Sequence, residues 1–196
     1  MKLPKNKKTL LILDLDETLL HATEQQLEVE PDFRLFGYYV YKRPHLEAFF
    51  RQVTRDFLLA VWSSASDDYV EKAVAEILPE GIELEFIWGR SRCTFKRNWL
   101  EQSHAMLNSH TLDHYHYTKP LKKLKRKGYK LDRIIIVDDS PHKANDNYGN
   151  AIYPKPFTGE KDDDELILLA KYLHLLKDKE NVRRIEKRFW KNEVQP

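Results

Sequence analysis

The chain has 196 residues, of which 41% are hydrophobic and 33% charged, a size and balance that suit one globular domain able to bury a real core. Lys and Arg number 33 against 31 Asp and Glu, a formal net charge of +2, so there is no reason to expect general attraction to nucleic acid or a membrane surface. A single cysteine, Cys93, excludes an intrachain disulfide framework.

The start, Met1 to Lys8, is basic, but the apolar run after it is too short for a secretory signal. No stretch approaches the length of a bilayer span. A cytoplasmic location is the expectation.

Thr9–Leu13 reads as a strand buried on both faces, as in a parallel α/β sheet. It runs directly into Asp14-Leu-Asp16-Glu-Thr18. Residues 21–42 alternate polar and apolar around Pro31 and Gly37, which predicts a β-ribbon insert. Pro44 then suits the first turn of a helix carrying Leu46, Phe49, Phe50 and Val53. Residues 57–62 form a second buried strand ending in Ser63-Ser64. Ser66 caps a predicted helix to about Leu78, with Asp67 and Asp68 complementing its dipole. Pro79 and Gly81 stop that helix, and 84–88 reads as a third short strand.

Residues 90–117 are poorly periodic and rich in His and aromatics, a second insert. A basic helix is predicted from Lys119-Pro120 to about Gly128, then a clear strand over 133–137 ending in Asp138-Asp139. A short strand at 150–152 and helices over 162–176 and 181–190 complete the chain. Strands alternating with helices predict an α/β three-layer sandwich with a mainly parallel central sheet, organised as one domain with the two inserts.

If the strands are parallel, Asp14/Asp16/Thr18, Ser63/Ser64 and Asp138/Asp139 share one edge of the sheet, where open α/β sheets bind ligands. Lys119 can reach that edge too. Like charges packed together need a cation or separate protonation states. Several carboxylates suggest a hard divalent cation such as Mg²⁺, completed by a substrate phosphate. Hydroxyls and a lysine beside them supply what phosphoryl oxygens need.

Asp14-Leu-Asp16-Glu-Thr18 resembles the signature of haloacid dehalogenase superfamily phosphatases. Leu13 to His21, Tyr41-Lys-Arg-Pro44, Trp62-Ser-Ser, Lys119 and Val137-Asp-Asp-Ser-Pro141, in that order, resemble more closely the small C-terminal-domain phosphatases and the nuclear LIM interactor-interacting factor domain. The resemblance implies that Asp14 is the nucleophile and a Mg²⁺ ligand. It implies that Asp16 is general acid and base and a ligand through its main-chain carbonyl. It makes Ser63 a phosphate contact where many relatives have Thr, and Lys119 the neutralising cation. Asp139 becomes a side-chain metal ligand with Asp138 organising it, although relatives often show Asp-Asn at this pair. Thr18, Ser64 and Arg90 are candidate contacts to phosphate or substrate. The implied substrate is a phosphorylated protein or peptide, phosphoserine or phosphothreonine, with no membrane partner.

Plainer roles exist for several of these residues. Thr18 can shape its loop, and Ser64 and Ser66 can be loop or cap residues. His104, His110, His114 and His116 with Cys93 fit no common zinc spacing and read as surface or partner-facing groups. Tyr38, Tyr39 and Tyr41 suit either a cleft or the packed face of a ribbon. Three rivals stand beside the phosphatase reading: a scaffold protein without turnover, a receiver-type signalling domain, and a phosphatase for nucleic-acid ends or small metabolites.

Overall fold

A computed structural model describes residues 8–97 and 115–195. Five strands form a parallel sheet in the order β10-β9-β1-β5-β6: β1 (Thr9–Leu13), β5 (Phe57–Trp62), β6 (Ile87–Trp88), β9 (Ile134–Val137) and β10 (Ala151–Ile152). β1 lies in the middle, which is why all five of its residues are buried. Its side chains alternate between two cores, as a strand's period of two requires. Leu11 and Leu13 pack with helices α1 (Leu46–Val53), α2 (Asp67–Ile77) and α4 (Glu165–Leu176) on one face. Leu10 and Ile12 pack on the other face with Trp62, Trp88, Ala144 and Leu124 of the short helix α3 (Lys122–Lys125). The expected three-layer α/β sandwich is what forms.

The first insert is a three-stranded antiparallel sheet rather than a ribbon. Its strands are β2 (Leu20–Thr23), β3 (Phe33–Leu35) and β4 (Tyr38–Lys42), in the order β2-β4-β3. The second insert contains an antiparallel pair, β7 (Thr94–Arg97) with β8 (Tyr115–Thr118). His104, His110 and His114 fall outside the described residues.

Other predicted boundaries shift for local reasons. Helix α1 begins after His45, whose φ of 65° turns the chain from strand to helix, so Pro44 precedes the helix. The third strand pairs regularly only at its end. Glu85 N–H to Leu59 O (2.7 Å) and Val61 N–H to Phe86 O (3.1 Å) hold the preceding residues. The basic helix has a single turn. The predicted helix over 181–190 is absent: two 3₁₀ turns, Val182–Arg184 and Trp190–Glu193, bracket an irregular stretch. There the buried Lys187 ammonium donates to the carbonyls of Val182 (2.5 Å) and Ile185 (2.7 Å). Val182 and Trp190 are buried but Phe189 is 67% exposed, so the helical spacing of apolar residues is not used. No helix among the described residues is long and apolar enough to cross a membrane.

Arg43 ties these parts together. Its guanidinium, wholly buried, donates to both carboxylate oxygens of Asp163 (2.7 and 2.8 Å) and to the carbonyls of Thr18 (3.0 Å) and Lys155 (2.8 Å). The loop after β1 is thus anchored to the segment leading into α4. Breaking such a buried pair leaves Asp163 with only the Glu165 N–H and no counter-charge, and takes a donor from two carbonyls. Arg43→Ala should therefore lower stability by about 3–5 kcal/mol. Urea unfolding checks this, and a loss below about 1 kcal/mol, the scale of a surface pair, would contradict it.

Candidate active site

The parallel register sets Leu13 beside Val137 in adjacent strands. The next residues, Asp14 and Asp138, therefore emerge side by side, and the Asp14 N–H donates to the Val137 carbonyl (2.9 Å). Both carboxylates are buried, and the buried Lys119 ammonium lies between them, 2.8 Å from Asp14 Oδ1 and 2.7 Å from Asp138 Oδ2. The main chain fixes Lys119 as well. Its N–H donates to the Lys143 carbonyl (2.8 Å), and its carbonyl accepts from Asn147 Nδ2 (3.1 Å).

A second ammonium completes the group. Lys143 Nζ stands 3.1 Å from Asp14 Oδ2, 3.9 Å from Asp138 Oδ1 and 4.0 Å from Asp139 Oδ1. Burial alone would raise the Asp14 pKa, but Lys119 and Lys143 outweigh it and hold the carboxyl below its ordinary range. Asp138 is pushed the other way, by burial first and then by the Asp14 charge, which Lys119 only partly offsets. The two acids share Lys119 at almost equal distance, and Lys143 favours the charge on Asp14 because it stands 3.1 Å from that carboxylate and 3.9 Å from Asp138.

Asp14, Asp138 and Asp139 each present an oxygen within 4.8 Å of the others. The hydrogen bonds sort these oxygens. Asp14 Oδ1 also accepts from the Leu15 N–H (2.8 Å), and Asp138 Oδ1 accepts from the Ser140 N–H (2.9 Å). Asp139 Oδ2 accepts from Ser140 Oγ (2.9 Å), whereas Asp139 Oδ1 is buried with no hydrogen-bond partner. A buried orphan acceptor costs free energy unless something completes it. Asp139 and Asp14 would hold a hard divalent cation, whose charge would complete that oxygen.

Asp16 faces the other way. Tyr69 Oη donates to its Oδ1 (2.7 Å) and Ser63 Oγ donates to its Oδ2 (3.3 Å). Its pKa is raised, by burial first and next by the Asp14 charge, against the opposing hydrogen bond from Tyr69. Any contribution from Asp16 to a cation must therefore come through its main-chain carbonyl rather than its side chain. The turn behind it is tight. Glu17 takes a φ of 57°, its N–H donates to Leu20 O (2.8 Å), and its carbonyl accepts from the Phe157 N–H (2.8 Å).

The remaining predicted residues divide. Ser63 joins the site, with its Oγ also accepting from the Ala65 N–H (3.0 Å). Thr18 is buried and its hydroxyl accepts from the Asp139 N–H (3.3 Å), a loop-shaping bond between the two acidic motifs. Ser64 offers its carbonyl to Arg90 Nε (2.8 Å), and the Arg90 guanidinium lies 5.3 Å from the Tyr117 ring centre. Arg90 also lines a solvent-open depression of about 470 Å³ beside Asp16, walled by Phe36 and Tyr38 of the first insert and by Tyr69. Cys93 is free, and burial pushes its thiol pKa up.

Two functional candidates carried no motif. Tyr69 lies in the first turn of α2, and only the packing of that helix against the first loop shows its hydroxyl reaching Asp16. Lys143 follows Asp139 by four residues, the spacing of neighbours on a helical turn; that signal was present in the sequence.

A family model described as NLI interacting factor-like phosphatase matches residues 9–183. Nuclear envelope morphology protein 1 of Schizosaccharomyces pombe is 29% identical over 191 residues, covering 93% of this chain and 35% of the relative. A Dictyostelium discoideum protein named "Probable C-terminal domain small phosphatase" is 30% identical over 181 residues, covering 88% and 52% respectively. The chain thus spans only about a third to a half of these relatives. Among solved structures, that of Fcp1, an RNA polymerase II CTD phosphatase, superimposes with a TM-score of 0.54 at 17% identity, over 90% of this chain and 52% of that one, a likeness of fold.

Glu17 supplies a test of these electrostatics. Burial, followed by the charges of Asp16 and Asp139, pushes its pKa up from 4.5 to about 7. The folded state therefore binds this proton more tightly than the unfolded one. Stability from this group is full below pH 4.5, falls as pH rises to about 7, and is level beyond. Glu17→Gln should consequently gain stability relative to wild type between pH 5 and pH 7.5, read from urea midpoints. An equal difference at both values would contradict the assignment.

Proposed function

We propose, for a chain that belongs to the NLI interacting factor-like phosphatase family, that it is a Mg²⁺-dependent phosphomonoesterase working through a phosphoaspartate on Asp14. One observation carries the reading. Two acids separated by one residue meet opposite surroundings. The Lys119 and Lys143 ammoniums stand 2.8 and 3.1 Å from Asp14 and favour its charge. Asp16 has no cation in contact among the described residues, accepts from Tyr69 and Ser63, and is pushed toward the proton by burial. That division is what a nucleophile and a proton donor require.

In the first step an Asp14 oxygen bonds to phosphorus as the phosphorus–alkoxide bond breaks, and Asp16 gives its proton to the departing oxygen. In the second, Asp16 takes a proton from water, whose oxygen bonds to phosphorus. The bond between Asp14 and phosphorus then breaks, leaving phosphate and free Asp14. Lys119 balances charge on Asp14 throughout, and the Ser63 hydroxyl, which donates to Asp16 at 3.3 Å, would turn to a phosphoryl oxygen. Asp14 and Asp139 would hold Mg²⁺, which would supply neutralisation of the phosphoryl oxygens.

The proposed substrate is a phosphoserine or phosphothreonine in a protein. In support, the depression beside Asp16 is open, and its walls come from an insert, a helix and Arg90. An extended peptide fits such a surface better than a small metabolite, which needs an enclosed pocket. Fcp1, by its description an RNA polymerase II CTD phosphatase, acts on a protein, in keeping with this choice.

Hydrolysis of p-nitrophenyl phosphate, with and without Mg²⁺, tests the reading. Turnover should require the metal, and Asp14→Asn should lower kcat by about 10³-fold or more. Activity that is equal in Asp14→Asn, or in EDTA, would overturn it. Tyr69→Phe gives a separate check. The Tyr69 hydrogen bond favours ionised Asp16, so its removal should raise the Asp16 pKa further. The alkaline limb of the kcat/KM profile should then move to higher pH. A limb that stays in place or moves down would exclude Asp16 as the acid that Tyr69 tunes.

A further inference from the structure

The Lys143 ammonium faces three carboxylate oxygens, Asp14 Oδ2 at 3.1 Å, Asp138 Oδ1 at 3.9 Å and Asp139 Oδ1 at 4.0 Å. Asp138 Oδ1 accepts from the Ser140 N–H, so the first and third are the two left for a cation. The other oxygens of the group are taken by Lys119, by the N–H groups of Leu15 and Ser140, and by Ser140 Oγ. Lys143 cannot be a loosely swinging surface residue. Its side chain is only 17% exposed. Its own N–H donates to Ser140 O (3.0 Å), and its carbonyl accepts from the Lys119 N–H (2.8 Å). The lysine is therefore anchored through its main chain to both cationic and acidic parts of the site.

We propose that Lys143 is a tethered counter-cation that competes with the divalent ion for Asp14 and Asp139. It sets the metal affinity of the site and keeps the acid cluster folded when no metal is bound. The inference rests on the reading of this cluster as a metal site. Mg²⁺ approaches carboxylate oxygens to about 2.0–2.1 Å. An ion touching both oxygens would share them with an ammonium only a few ångströms away, in surroundings of low dielectric where like charges repel strongly. The ion enters only as the ammonium gives up Asp14 Oδ2. Without metal, the three carboxylates of Asp14, Asp138 and Asp139 face the two ammoniums of Lys119 and Lys143. Removing Lys143 leaves them facing one.

The competition predicts opposite effects on two measurements, neither of which requires turnover. Mn²⁺ binding to the purified chain, followed by the electron paramagnetic resonance of free Mn²⁺ and for Mg²⁺ by calorimetry, should be about tenfold tighter or more in Lys143→Met and Lys143→Gln than in wild type. In EDTA both variants should melt below wild type, and saturating Mg²⁺ should raise their melting temperatures by more than it raises that of wild type. Lys143→Arg keeps the charge and should show no gain in affinity. Unchanged or weaker binding in the neutral variants, or an equal gain in Lys143→Arg, would overturn the competition while leaving the phosphatase reading intact. If neither wild type nor the neutral variants bind a divalent ion, the metal site and the competition fall together. Should Lys143→Met not fold in EDTA, Lys143→Gln and purification in Mg²⁺ keep the affinity comparison available.

Discussion

The structure depends on a buried ammonium held between two carboxylates. Lys119, with no exposure to solvent, bridges Asp14 at the end of β1 and Asp138 at the end of β9. The strands pair in parallel and in register, so their acids cannot avoid each other. Two such charges taken out of water are tolerable only with a counter-ion in close contact. Everything nearby serves that arrangement: the main chain of Lys119 is bonded to the segment after the acid pair, and the Thr18 hydroxyl joins the first acidic loop to the second.

From this constraint comes a division of the site into two unlike halves. On one side of Asp14 lie the lysines and the acid pair, where positive charge holds a carboxylate ionised. On the other lies Asp16, among Tyr69, Ser63 and the aromatic wall of the first insert, where burial favours the proton. A single turn carries the chain from one half to the other, and the positive φ of Glu17 closes it. The Arg43–Asp163 pair then fastens that turn to the C-terminal part of the domain. The match over residues 9–183 sets the chain in a phosphatase family, and the likeness to Fcp1 is one of fold.

The elements legible in the sequence share a physical cause. Residues 9–13 and 57–62 were readable to the residue because interior parallel strands are apolar on both faces and so form unbroken runs. Their ends were readable because acids and hydroxyls come at once after them. Helix α1 showed itself through Leu46, Phe49, Phe50 and Val53, all buried as their spacing implies. The same spacing misled at Val182, Ile185, Phe189 and Trp190. There a buried lysine takes carbonyls away from helical pairing, and a period in the sequence does not record that competition. Residues 84–88 read as a short strand, of which only Ile87–Trp88 pairs regularly, because composition cannot tell an edge from an interior position.

By itself the sequence determined the parallel α/β core, the convergence of Asp14, Ser63, Lys119 and the Asp138–Asp139 pair on one edge, and the motif order that marks the family. The core and the shared edge follow from hydrophobic period and from the polar residues that end each run, and the family from its resemblance in motif order. Only the tertiary structure decided which carboxylate oxygen is orphaned, how the two ammoniums are shared among the acids, and that the Tyr69 hydroxyl reaches Asp16. Those outcomes depend on distances between residues up to 129 positions apart. Charge and hydrogen bonding change over a few ångströms in a buried site, a scale set by packing rather than by order along the chain.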